Sequence, residues 1–362
     1  MPHSPSPIPS TPTILGIETS CDDTAAAVLR GGRLASSVIA SQRVHAGFGG
    51  VVPELASRAH QRLIVPTVEA ALEEAGVTCD DLDAVAVTYG PGLAGSLLVG
   101  LSFGKALAFG LDVPLVGVNH LDGHIYSVFV TEEDATQDES AVRVPPFPYL
   151  CLTVSGGHTQ LVRVDEGFQH TVLGTTRDDA AGEAFDKVAK MLGLGYPGGP
   201  VVDKLAREGD PAAHAWPDPR LDRRKYPDEP YGFSFSGLKT AVLYHLRGLA
   251  DAERDAAMQG QPLADLCASF QQTVVDALVG AIRDAVAATG IRAVAIVGGV
   301  SANSRLRADA QTTADADGFD LFVPRITYSI DNAAMIAVTG HFQLAAGHTS
   351  PLDLTAVPNL KV

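Results

Sequence analysis

T-I-L-G-I-E-T-S-C-D-D at residues 13–23 and Y-L-C-L-T-V-S-G-G-H at residues 149–158 open two stretches of the chain in the same way. Thr13–Glu18 reads as a strand that turns through T-S-C-D-D into a second strand, Thr24–Leu29. Tyr149–Val154 turns through S-G-G-H into Thr159–Val164. Apolar runs that reverse at small and hydroxyl-bearing residues are the pattern of a β-hairpin. Each hairpin is followed by helical stretches and a further apolar strand, A-V-A-V-T at Ala84–Thr88 and A-V-A-I-V at Ala293–Val297. Strands alternating with helices make an α/β protein, here in two similar halves.

Between the halves, T-E-E-D-A-T-Q-D-E-S-A-V-R-V-P-P-F-P is acidic and then proline-rich, and reads as a linker over 131–148. The expected organisation is a disordered tail over 1–12, a first lobe over 13–130, the linker, and a second lobe over 149–330. A helix and tail over 331–362 would complete the cleft between the lobes. Long helices are expected at Ser96–Gly110, Ala180–Leu192, Leu238–Leu249, Leu263–Ala288 and Asn332–Ala345. Pro53 and Pro66 are expected to open two consecutive helices, since proline suits a first helical position. In the second, Val68, Leu72 and Ala75 share a face. The proline-rich stretch Asp210–Tyr231 reads as a surface excursion.

With 362 residues and 46% hydrophobic composition the chain can bury a sizeable core, and two domains are expected. A formal net charge of −16, from 42 acids against 26 bases, excludes a whole-surface electrostatic nucleic-acid binder. A polyanion would be met by a local basic patch or on a partner's surface, so binding of a nucleic acid by the chain alone is expected to be weak and salt-sensitive. Cys21, Cys79, Cys151 and Cys267 form no C-x-x-C pair, which fits a reducing compartment. The first residues resemble no signal peptide, and no unbroken apolar run reaches membrane-span length, so a cytoplasmic protein is expected.

Several motifs could carry chemistry. The turn from Glu18 to Asp23 offers two hydroxyls and successive amides that could hold phosphate, with a carboxylate near for a metal-bound water; it also reads as an ordinary turn. Ser155-Gly156-Gly157-His158 allows close backbone approach to a ligand. Gly298-Gly299 follows a strand and precedes S-A-N-S-R-L-R at a helix start, which suits a nucleotide. The Gly298-Gly299 stretch has neither the G-x-G-x-x-G spacing nor that of a P-loop, which leaves a nucleotide cleft between hairpin-led halves.

His120-Leu-Asp-Gly-His124 places two imidazoles on one helix face at a spacing that suits one metal ion, or two capping histidines. A helix zincin would carry glutamate at Leu121, so that protease chemistry lacks its base. Asp331, at an apparent helix start, is the candidate third ligand, and such a set suits Fe(II) or Zn(II). His45 and His60 flank G-F-G-G-V-V-P-E-L-A-S-R, which reads as a helix-capping loop. Cys21 reads as a reactive or a small buried thiol. Lys187, Lys190, Arg220, Arg223, Arg224, Lys225, Arg305 and Arg307 are the notable bases.

Taken together, G-I-E-T-S-C-D-D-T, H-A-G-F-G-G-V-V-P-E-L-A-S-R-A-H, G-P-G-L-A-G-S-L-L-V-G, N-H-L-D-G-H, V-S-G-G-H-T-Q-L, G-E-A-F-D-K-V-A-K, Y-P-G-G-P, F-S-F-S-G-L-K-T, G-G-V-S-A-N-S-R-L-R and D-N-A-A-M-I-A resemble the TsaD/YgjD/Gcp family, in order from Ile14 to Ala345. The resemblance implies a two-lobed actin-like, Hsp70-type ATPase fold with helical insertions. It implies transfer of threonylcarbamoyl from threonylcarbamoyl-adenylate to N6 of the adenosine 3′ of the anticodon in tRNAs reading ANN codons. Carried over by position, the metal ligands would be His120, His124 and Asp331, holding Fe(2+) or alternatively Zn(2+). The adenylate would contact Thr153, Val154, Ser155, Gly156, Gly157, Asp186, Gly199, Asp203 and Asn303. No residue is assigned as the base that takes the N6 proton.

The family pattern has Asp-Glu where this chain has Asp22-Asp23, and tyrosine is common where Phe48 stands. Implied partners are tRNA, an inactive TsaB-like paralogue docking on helices of the first half, and a small TsaE-like ATPase, with no membrane. Competing readings are a non-catalytic scaffold, a metal-dependent glycoprotease and a sugar or acetate kinase.

Overall fold

The computed structural model describes residues 9–42, 51–133 and 143–361. His45 and Phe48, most of the expected tail, and the middle of the expected linker lie outside these residues. The chain divides into two compact units: Met1–Val144 with Pro324–Val362, and Pro145–Val323. The segment from Pro324 to Ile330 thus groups with the first unit rather than with the second half.

Within the first unit, strands β1 (Thr13–Glu18), β2 (Asp23–Arg30), β3 (Arg33–Ser41), β4 (Ala84–Gly90) and β5 (Leu115–Asn119) form a sheet of order β3-β2-β1-β4-β5. In the second, β6 (Tyr149–Val154), β7 (Thr159–Asp165), β8 (Gln169–Thr175), β9 (Ala293–Val297) and β10 (Asp320–Phe322) form a sheet of order β10-β9-β6-β7-β8. In each sheet the hairpin strands pair antiparallel and the later strands join the first hairpin strand's other side in parallel. The echo between residues 13 and 149 is therefore a repeated topology. β3, β5, β8 and β10 were not anticipated from the sequence; β3 and β8 are mixed in polarity, and β10 has three residues.

Helix α1 (Pro53–Ala75) is one helix of 23 residues with Pro66 inside it, not two helices. Pro66 cannot donate to the carbonyl of Arg62, but both residues are exposed, so water can serve that carbonyl. Val68 and Leu72 face the core as expected. Helix α2 (Ala94–Leu111) is long and apolar enough, by length and composition, to cross a membrane, which counting unbroken apolar runs had missed. Its face of Ser96, Leu97, Gly100, Leu101, Gly104 and Ala108 is buried, with Gly104 against Val87 of the first sheet.

Two further helices place the first unit's chemistry, α3 (His120–Tyr126) directly after β5 and a long-range neighbour near the other end of the chain. The second unit carries α4 (Ala181–Met191), α5 (Gly198–Ala206), α6 (Ser236–Gly248), α7 (Asp251–Ala257), α8 (Gly260–Thr289) and α9 (Ser304–Asp317). Phe185 of α4 meets Phe270 of α8 edge-to-face at 5.2 Å, in the second core. The F-S-F-S stretch before α6 is held by Asp178, which accepts from Ser234 Oγ at 2.5 Å, Phe235 N at 2.8 Å and Ser236 Oγ at 2.6 Å. Between α5 and α6 the chain is irregular, though Trp216 and Tyr231 pack against the core.

The chain ends with α10 (Ile326–Ser329) and α11 (Ala333–Ala345) in the first unit. Small residues let α11 lie close to the first sheet: a Cβ on Gly16 would sit 2.5 Å from Ala333 O and 2.7 Å from Ala337 N, and one on Gly340 would sit 2.6 Å from Ala86 Cβ. Gly16→Ala is expected to cost about 1–3 kcal/mol by overpacking against this backbone, read as a lower urea midpoint.

Candidate metal centre and nucleotide pocket

The two histidines sit four residues apart on α3, so both rings lie on one face, with centroids 4.8 Å apart. Asn332 caps α11 by accepting from Met335 N at 2.9 Å, which leaves Asp331 just before the helix. Asp331 Oδ1 lies 3.5 Å from His120 Nε2 and 3.2 Å from His124 Nε2. One ligand atom from each of His120, His124 and Asp331 fits within a 4.8 Å group, the one such group among the described residues.

Behind His120 stands Glu18, which the sequence offered only as a turn residue. Its Oε2 is 3.1 Å from His120 Nδ1, and it accepts from Thr88 Oγ1 at 2.6 Å and from Ser20 N. A carboxylate accepts, so Nδ1 carries a proton, and Nε2, which faces Asp331, is the nitrogen left for a metal. Burial alone would push the Glu18 carboxyl up, but the charge and hydrogen bond of His120 outweigh it and hold it below its ordinary value. Burial also opposes charge on His120, yet Asp331 and Glu18 hold it well above its ordinary value. Asp331 in turn is held well below the usual carboxylate range, because His120 and His124 outweigh its desolvation.

The fit to a metal rests on His124. It is 1% exposed, and neither of its ring nitrogens makes a hydrogen bond of good geometry, although Asp331 Oδ1 lies 3.2 Å from Nε2. A buried imidazole without a well-formed hydrogen bond is costly unless something else takes its lone pair. The Asp331 side chain remains 33% exposed, so the group opens to solvent on one side. Two imidazoles, one carboxylate and an open side suit Fe(II) or Zn(II).

The hydroxyls of the first turn are engaged within the fold. Thr19 Oγ1 donates to Ser96 O at 2.9 Å, and Ser20 Oγ lies 3.1 Å from His120 Nδ1. His60 is fully buried, with Nε2 3.0 Å from Cys21 O and Nδ1 2.8 Å from Thr24 Oγ1, so it pins this turn instead of capping a loop. Burial first, then Asp22 and Asp331, push the Cys21 thiol up, which disfavours its thiolate form. Burial likewise raises Asp23.

In the second unit a cavity of about 360 Å³ is lined by Gly156, Asp186, Gly199, Asp203 and Asn303, all anticipated from the sequence. It is also lined by Gly299, of the glycine pair that the sequence marked as suiting a nucleotide, and by Gly182, Phe185, Pro200, Arg207, Val300 and Ala302, which were not named as contacts. Thr153 and Val154 are instead buried in β6, Ser155 shapes the turn by pairing with His158, and Gly157 does not line the cavity. Gly156, Gly199 and Gly299 line the cavity, and a Cβ on any of them would meet nothing within 4 Å.

Asp186 Oδ1 accepts from Gly198 N at 2.7 Å at the start of α5; burial raises it against these amide bonds. Asp203, one turn along α5, accepts from Ser304 N at 3.2 Å, Ser304 Oγ at 2.8 Å and Arg207 at 3.0 Å. Asn303 caps α9 through Leu306 N at 2.9 Å and donates to Gln271 Oε1 at 2.8 Å. Two fixed carboxylates suit the hydroxyl and amine donors of a nucleoside, and the glycine backbone suits an anionic group.

Glu18→Gln keeps the shape of the buried site but cannot orient His120 as a carboxylate does. Its metal affinity is expected to fall about 10–100-fold in a competitive chelator titration.

The family model described as TsaD: tRNA N6-adenosine threonylcarbamoyltransferase matches residues 33–338. A protein of that name from Salinibacter ruber is 57% identical over 96% of this chain and 99% of its own length. Another from Symbiobacterium thermophilum is 52% identical over 96% of each. The solved structure of full-length HypF in its phosphate- and nucleotide-bound form is 13% identical, with a TM-score of 0.58 over 92% of this chain and 46% of that one. That last likeness is one of fold alone. With a family match across most of its length and relatives above half identity, the chain belongs to the TsaD family of tRNA N6-adenosine threonylcarbamoyltransferases.

Proposed function

We propose that this chain transfers the threonylcarbamoyl group from threonylcarbamoyl-adenylate to N6 of the adenosine 3′ of the anticodon in tRNAs reading ANN codons, releasing AMP. The observation that carries the reading is the His120, His124 and Asp331 group in a chain of this family. A scaffold has no need of a buried histidine without a well-formed hydrogen bond, so the non-catalytic alternative is not favoured. Leu121, 2% exposed, stands where a zincin would need its glutamate, which disfavours the protease reading.

The adenylate is a mixed anhydride and arrives activated, so the chain's task is to orient it. In our reading the cavity of the second unit takes the adenosine, with Asp186 and Asp203 accepting from its donors. The backbone at Gly156 and Gly299 would lie against its anionic portion. The N6 amine attacks the carbamoyl carbon, the bond from that carbon to the phosphate oxygen breaks, AMP leaves with the electron pair, and the proton released from N6 passes to water. His120, His124 and Asp331 would hold a divalent metal, Fe(2+) before Zn(2+), which when bound supplies electrophilic polarisation of a carbonyl or neutralises phosphate charge. Glu18 keeps His120 in the tautomer that can bind it.

The partners in this reading are tRNA, a TsaB-like paralogue and a TsaE-like ATPase, in the cytoplasm. A docking face for the paralogue is supported by the apolar groove on α1 and α2, where Val65 is 47% and Leu98 54% exposed.

An assay with purified tRNA, threonylcarbamoyl-adenylate and both partners, read as modified adenosine by mass spectrometry, tests the proposal. The double variant His120→Ala with His124→Ala is expected to lose bound metal and at least about 100-fold in transfer rate together. Full activity of that variant without metal contradicts the reading.

A further inference from the structure

The helix that holds both histidines has only seven residues, and so short a helix depends on what fixes its ends. Asn119 caps it, Oδ1 accepting from Leu121 N at 2.9 Å. That bond settles which way the amide lies, and Nδ2 then donates to the carbonyl of Lys361 at 2.9 Å. One side chain thus ties the histidine helix to a segment 242 residues away in sequence.

The segment is seated along the first sheet. Ser350 N donates to Leu115 O at 2.8 Å, and Gly117 N donates to Ser350 Oγ at 2.9 Å. Leu354 packs against the first core, and Lys105 Nζ donates to its carbonyl. Val357 N donates to Tyr89 O at 2.8 Å, and Gly92 N to Pro358 O at 3.1 Å. Glycine makes the room: a Cβ on Gly90 would overlap Val357 O, and one on Gly117 would overlap the Leu354 side chain. The G-P-G stretch, which neither the metal group nor the cavity uses, is where this segment lies.

We propose that Asn119 is a positioning residue of the metal centre and that residues 357–361 are the brace that fixes it. The Lys361 carbonyl holds the amide that caps α3, and so sets the aim of His120 and His124. The effect on metal rests on the reading given above; the brace itself does not.

Two variants separate the parts. Deletion of residues 359–362 removes the Lys361 carbonyl and keeps Leu354, Val357 and Pro358 in place. Asn119→Asp keeps the acceptor that caps α3 and loses the donor to Lys361. Amide hydrogen exchange is followed at Leu121–Tyr126 in metal-free protein, with Ala293–Val297 as the reference, and Co(2+) binding is followed by visible absorption. Each variant is expected to exchange about tenfold faster at α3 only and to bind Co(2+) about tenfold more weakly. The combined variant is expected to be no worse than either alone, as for two ends of one bond.

Unchanged exchange at α3 in the deletion overturns the brace, as does equal acceleration at Ala293–Val297. Additive losses in the combined variant overturn the link between Asn119 and Lys361. If the unmodified chain binds no Co(2+), the metal reading fails, and the exchange measurement still decides the brace.

Discussion

A carboxylate almost closed off from water is tolerable only where its charge is met, and Glu18, 1% exposed, is such a carboxylate. It is met by His120 from the helix after β5, by Thr88 from β4 and by the amide of Ser20 beyond its own strand. These partners reach the end of β1 only when β4 runs parallel beside it with β5 next in order. The sheet order, the turn and the aim of His120 are therefore one problem with one solution. Removing the carboxylate would leave a buried imidazole facing nothing charged on its far side, which is why this pair sits at the centre of the account.

Close approach of backbone is the second theme. Gly16 and Gly340 let α11 press on the first sheet, and α11 is what delivers Asp331. In the second unit, a Cβ on Gly182 would sit 2.6 Å from Ser155 O, so α4 can seat on the glycine turn only because that position has no side chain. Asp186 and Asp203 are then held by the starts of α5 and α9, not by the residues next to them in sequence.

Much of this was legible and some was not, for physical reasons. The two hairpins and β9 showed because their buried strands are apolar runs bounded by turn residues, and β9 fell at Ala293–Val297 as read. The histidine pair showed because a spacing of four is local. Glu18 did not, since its partners lie 70 and 102 residues away and its neighbours spell an ordinary turn. The hydroxyls of Thr19 and Ser20 looked available to a ligand because sequence cannot show that Ser96 O and His120 already engage them. Pro66 looked like a helix start, because whether water can replace its missing hydrogen bond depends on which face is exposed. Arg207 was not among the bases singled out, yet it lines the cavity and pairs with Asp203.

X-ray absorption at the edge of the bound metal, on iron-loaded and zinc-loaded full-length protein, tests the central claim most directly. A first coordination shell of nitrogen and oxygen with the scattering signature of two imidazoles is the result expected for His120, His124 and Asp331 backed by Glu18. Cys21 lies close enough to feel the charge of Asp331, so a sulfur ligand would be visible if the thiol were engaged. Sulfur in that shell, or a shell without imidazole, would contradict the account.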